Sequence, residues 1–76
     1  MDNYDEYFRQ LALNISYYRR KAGLTQLELA EKVGISRTYL SNIEAPNVST
    51  SFSIKTLFRI ADALGVELVA LFDFKK

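Results

Sequence analysis

Apolar side chains recur along this chain at spacings of three and four, in blocks that stop at three glycines and one proline. Tyr4, Phe8, Leu11, Ile15 and Tyr18 form the first block, the mark of an amphipathic helix from about Asp5 to Ala22, closed by Gly23 and Leu24. Leu29, Ala30 and Val33 give a second inner face, which Gly34 and Ile35 end. A third helix starts at Ser36 as N-cap and turns Leu40 and Ile43 inward. After Glu44 the stretch Ala45–Ser51 holds the only proline, then small polar residues, and reads as a loop. Ser53 caps a fourth helix whose Ile54, Leu57, Phe58, Ile60, Ala61 and Leu64 are expected to face inward, ending at Gly65 and Val66. A short fifth helix from Glu67 to Phe72 completes an all-α pattern. Each glycine precedes an aliphatic residue where periodicity stops, as a left-handed cap with its hydrophobic contact requires. With no strand pattern or repeat, five helices and an unusually long first one are predicted.

Within that pattern, residues 25–44 carry the most information. Thr25 with Glu28 three residues later is a capping box, so the second helix has a defined start. Gly34 makes the turn and Ser36 restarts the chain as a helix. With Leu40 and Ile43 inward, Arg37, Thr38, Ser41 and Asn42 point outward. The product is a short polar-faced helix held out to solvent.

Composition narrows what such a helix can do. Seventy-six residues suit a single domain, 1–76, of modest stability, since domains this small bury only about 60% of their unfolded surface. Lacking cysteine and histidine, the chain offers no thiolate or imidazole ligands, no nucleophile–base pair and no disulfide, so no metal, cofactor or catalytic site is expected. Glu28 and Glu31 share a helix face, but Glu28 with Lys32 reads as a stabilising pair rather than acid–base chemistry. No segment is apolar enough to span a membrane, and the acidic start, Met1 to Glu6, is opposite in charge to a signal peptide. A cytoplasmic protein of bacterial or phage origin is expected, with no small-molecule ligand evident. The net charge of +1 divides unevenly: residues 19–55 hold Arg19, Arg20, Lys21, Lys32, Arg37 and Lys55 against Glu28, Glu31 and Glu44. That excess is consistent with a nucleic-acid face but too small to establish one, and from charge alone ordinary solvated helices are the preferred reading. The triplet Arg19–Lys21 likewise reads either as helix-end electrostatics or as phosphate contact.

Gly23-Leu24-Thr25-Gln26, Glu28-Leu29-Ala30, Gly34-Ile35-Ser36, Tyr39-Leu40-Ser41, Ile43-Glu44 and Ala63-Leu64-Gly65-Val66 together resemble the Xre/Cro-type helix-turn-helix family, which includes the lambdoid phage repressors. The match covers about Leu11 to Phe72. Ala30, Gly34, Leu40 and Ile43 stand at the family's structural positions, for close helix approach, the turn and the seat of the second helix. The resemblance implies a lambda-repressor-like fold that binds double-stranded DNA sequence-specifically as a transcriptional regulator, with helix 36–44 in the major groove. Arg37, Thr38 and Asn42 are then the base readers. Arg can pair with guanine, Asn with adenine, and a Thr methyl can meet that of thymine, although Arg37 could instead hold phosphate. Thr25, Gln26, Tyr39, Ser41 and Arg20 are assigned to the DNA backbone. Arg19 and Glu44 match positions that pair in family repressors.

Two departures qualify the resemblance. Where the family often continues into glycine and basic residues after the recognition helix, this chain has Ala45-Pro46 and a neutral loop, so fewer phosphates should be gripped. Near the end, Val69 and Ala70 replace polar residues, and Leu68, Val69, Leu71, Phe72 and Phe74 exceed what one short helix can bury. A homodimer contact through Leu68, Val69, Phe72 and Phe74, on a palindromic operator, is the functional reading; packing against Phe8 and Tyr4 is the other. An antitoxin or other protein-interaction regulator of the same fold is the alternative function. Leu27 is apolar at an outward position, for no reason visible in the sequence.

Overall fold

The structure, a computed structural model, describes residues 4–47 and 50–74. Five helices follow in order: α1 Asp5–Lys21, α2 Gln26–Val33, α3 Arg37–Glu44, α4 Ile54–Leu64 and α5 Leu68–Leu71. The all-α, five-helix expectation holds, with boundaries displaced by one residue at the end of α1 and at both ends of α5. Part of the loop expected over 45–51 lies outside the described residues, as do Asp2, Asn3 and the two final lysines.

Local chemistry accounts for where each helix begins. Thr25 Oγ1 accepts from the Glu28 N–H at 3.0 Å, while Glu28 Oε1 accepts from the Thr25 N–H at 2.8 Å, closing the capping box. Ser36 and Ser53 accept from the N–H groups of Tyr39 and Thr56. Between α2 and α3 the chain reverses at Gly34, whose φ of +87° lies in the left-handed region closed to most side chains. Its N–H and that of Ile35 both donate to the Ala30 carbonyl, at 2.8 and 3.0 Å, so the orphan end of α2 is satisfied as the chain turns.

One apolar core joins all five helices: Leu11 and Ile15 of α1, Leu29, Ala30 and Val33 of α2, Leu40 and Ile43 of α3, Leu57, Ile60, Ala61 and Leu64 of α4, and Leu71 of α5. α1 packs on α3, α4 and α5, while α2 packs on α3 and α4. Four expected core residues are corrected. Tyr4, Phe8, Ile54 and Phe58 are exposed, because burial on α1 begins only at Leu11 and the apolar arc of α4 is wider than its neighbours can cover. Ala12 and Ser16 are buried on α1 instead.

A second tie lies far apart in sequence. Asn14 Nδ2 donates to the carbonyls of Leu71 at 2.9 Å and Asp73 at 3.3 Å, so an α1 side chain satisfies the end of α5.

Candidate nucleic-acid interface

α3 is eight residues long and presents two kinds of side chain. Leu40, Ile43 and Glu44 are buried; Arg37, Thr38 and Asn42 are exposed; Tyr39 and Ser41 lie between. Thr38 and Asn42 are four apart and so share one stripe of the helix, as do Arg37 and Ser41. Ala30, buried on α2, has no side chain beyond its methyl to hold the helices apart. Of the four residues expected to fix the motif, Ala30, Leu40 and Ile43 are buried and Gly34 takes the left-handed conformation at the turn.

The base of α3 is anchored electrostatically. Glu44 keeps only 3% of its side chain exposed, and Arg19, 11% exposed, donates from Nε to Glu44 Oε1 at 3.1 Å and Oε2 at 2.9 Å. Arg19 Nη1 donates to the Leu24 carbonyl at 2.8 Å, and Gln26 Nε2 donates to Glu44 Oε1 at 3.2 Å. One carboxylate thus joins α1, the α1–α2 turn, the first residue of α2 and the last of α3. Burying a carboxylate is costly unless it is paired and hydrogen-bonded, and both conditions are met. Gln26 gives one amide hydrogen to Glu44, which leaves its other hydrogen and its carbonyl oxygen for a ligand. The Arg19–Glu44 pairing was implied by resemblance alone, and the Gln26–Glu44 bond had no sequence signal.

The basic triplet at the end of α1 separates into three environments. Arg19 belongs to the buried pair, Lys21 Nζ lies 5.8 Å from the centre of the Tyr17 ring, and Arg20 is exposed. Thr25 is exposed and Gln26 half-buried at the start of α2, where unshared N–H groups and the helix dipole favour an anion. Leu27 is half exposed, and nothing in the structure explains it.

The residues assigned to a dimer contact lie elsewhere and are not alike. Leu68 and Phe74 are half-buried, with Phe74 stacked on Tyr7 at 6.0 Å between ring centres; Val69 and Phe72 are exposed. Packing on α1 therefore takes up part of the apolar surface, with Tyr7, absent from the expected stripe, as the stacking partner. Among the described residues no helix is long and apolar enough to cross a membrane, and no cluster of three or more acidic, histidine or cysteine side chains could hold a metal.

Comparison with known proteins gives consistent matches. The family model described as helix-turn-helix matches residues 15–71. The transcriptional regulator SinR of Bacillus subtilis is 41% identical over 61 residues, 80% of this chain and 54% of SinR. The immunity repressor of Bacillus phage phi105 is 42% identical over 57 residues, 75% of this chain and 38% of the repressor. This chain thus spans about half or less of the length of these relatives. Among solved structures, SinR in complex with DNA superposes with a TM-score of 0.75 at 38% identity, covering 83% of this chain and 98% of that one.

Proposed function

The chain belongs to the helix-turn-helix family, of the Xre-like type, and from that premise we propose that it binds double-stranded DNA sequence-specifically as a transcriptional regulator. The observation that carries this reading is α3 itself: a short helix immobilised through Leu40, Ile43 and Glu44, with Arg37, Thr38 and Asn42 outward. In the proposed complex α3 lies in the major groove and these three side chains meet base edges. Gln26, whose remaining amide hydrogen is free of Glu44, holds a phosphate together with Thr25 and the start of α2. Arg20, Tyr39 and Ser41 line the backbone on either side.

In this reading residues 1–76 form one DNA-binding domain that acts in the cytoplasm and needs no cofactor or catalysis to bind. Two copies bind a palindromic operator, because a two-fold protein matches paired half-sites. The likeness to a regulator solved on DNA supports the duplex as the ligand. Selection of bound sites from a random duplex pool is the test. Enrichment of a palindrome is expected; recovery of no preferred sequence would favour the antitoxin or protein-interaction reading, for which the exposed apolar surface beside α5 is the supporting observation.

A further inference from the structure

α4 carries more apolar surface than the fold covers. Ile54 and Phe58, four residues apart and so stacked along one stripe, are 58% and 48% exposed. Asp62 continues that stripe by one more turn, and Lys55 and Arg59 form the stripe beside it, all three exposed. Leu57, Ile60, Ala61 and Leu64 fill the core side of the same helix, so the outward pair is left over once the core is complete. The helix makes its main contacts with α1, α2 and α5, and none of them closes over Ile54 and Phe58.

The charges around that pair are mostly of one sign. Arg59, Asp62 and Ala63 of α4 line an open cleft of about 440 Å³ with Lys32 and Val33 of α2. Lys32, Lys55 and Arg59 thus stand against one acid, Asp62, and among the described residues none of the three cations is held in an ion pair. Glu28, one turn before Lys32, accepts from the Thr25 N–H in the capping box instead. We propose that this face docks an acidic amphipathic helix of another protein. The apolar stripe of that helix covers Ile54 and Phe58, and its carboxylates meet Lys55, Arg59 and Lys32.

Both halves of the face select that chemistry. Exposed aliphatic and aromatic side chains one turn apart match the spacing by which an amphipathic helix is anchored. Unpaired cations beside them attract carboxylates and repel basic segments, which sets partner choice and rate of encounter more than final affinity. Asp62, at the C-terminal end of the stripe, disfavours a carboxylate there and so fixes the partner's acids towards Lys55. A second copy laid on the same face would set Lys55 and Arg59 against their own kind. A nucleic-acid backbone would satisfy the cations and leave Ile54 and Phe58 bare. The face is small, so the complex is a transient one, of the class that buries less than about 1,200 Å². No residue assigned to DNA lies on it, and the inference does not rest on the DNA-binding reading.

The probe is a fluorescently labelled synthetic helix of about 15 residues, with leucines along one stripe and glutamates flanking them. Its control is the same peptide with every glutamate replaced by lysine. Anisotropy should show saturable binding of the glutamate peptide and binding at least about tenfold weaker for the lysine peptide. A chain carrying Lys55→Glu and Arg59→Glu should exchange the two preferences. Phe58→Ser should weaken the glutamate peptide about tenfold, and all these side chains are exposed, so thermal melts should match the parent. Equal binding of both peptides by the parent, or a charge-reversed chain that keeps the parent's preference, overturns the proposal. Loss of binding on Arg37→Ala with none on Phe58→Ser also overturns it, by placing the peptide on α3. A parent chain that ignores both peptides and sediments with anionic phospholipid vesicles overturns it in favour of a membrane surface. Each of these results leaves the duplex-selection test as it was.

Discussion

The motif helix and the terminal face of this protein expose opposite chemistry. Around α3 the polar side chains Arg37, Thr38 and Asn42 are exposed, and the buried Glu44 carboxylate is hydrogen-bonded by Arg19 and Gln26. Around the start of α1 and the end of α5 large aromatic and aliphatic side chains are exposed, and the polar tie, Asn14 to the Leu71 carbonyl, is only partly covered. A polar helix on a buried ionic anchor suits a hydrated, charged ligand that must be read in one orientation. An exposed apolar face suits a partner that excludes water. The difference also separates the energetics, since α3 depends on interactions that the fold cannot lose, whereas the terminal face keeps outside the core side chains that the fold can spare.

Four measurements put that contrast at risk. The largest effect belongs to Glu44→Ala, which leaves the largely covered Arg19 guanidinium with no carboxylate and only the Leu24 carbonyl as partner. A loss of about 3–5 kcal/mol in denaturant unfolding is expected, enough to unfold much of so small a domain. A loss below 1 kcal/mol would mean that α3 is held by apolar packing alone. Next, Arg37→Ala should cost about 1–3 kcal/mol on the preferred duplex while sparing non-specific binding. An equal loss on every sequence would reassign Arg37 to phosphate.

The third effect concerns salt. A dimer gripping roughly six phosphates would show a slope near −5 in log K against log salt, and the neutral loop after Glu44 predicts a shallower one. Each unit of slope is worth about 0.8 kcal/mol between 50 and 200 mM salt. Titration of operator binding against salt would reject the expectation if the slope matched or exceeded −5. The smallest effect is expected at the terminal face: Val69→Ser should change unfolding free energy by less than about 0.5 kcal/mol, as at other exposed positions. A larger loss would show that Val69 serves the monomer's own packing.

How much of this was legible in the sequence depended on reach. The capping box at Thr25 and Glu28, the Gly34 turn and the inward Leu40 and Ile43 are settled within three or four residues of chain, and periodicity and capping chemistry report them directly. Arg19 and Glu44 are 25 residues apart, and only the family resemblance joined them. No pattern signalled that Gln26 would donate to the same carboxylate, or that Asn14 would reach a carbonyl 57 residues away. Tyr4, Phe8, Ile54 and Phe58 failed for another reason. Helical spacing identifies which side of a helix is apolar, but burial also requires a neighbour to cover it, and α1 begins before the core does. The base-reading roles of Arg37, Thr38 and Asn42 remain a reading of chemistry and exposure on a helix of known seat.

α5 has a single turn, four residues, too short to nucleate by itself. It persists because Leu71 is buried completely and because Asn14 holds the carbonyl of Leu71, its last residue, and that of Asp73 just beyond. Its helical state therefore depends on the middle of α1, far from it along the chain. Hydrogen exchange at the amides of Ala70 and Phe72 would time how often that support lets go, and each such opening would withdraw Leu71 from the core.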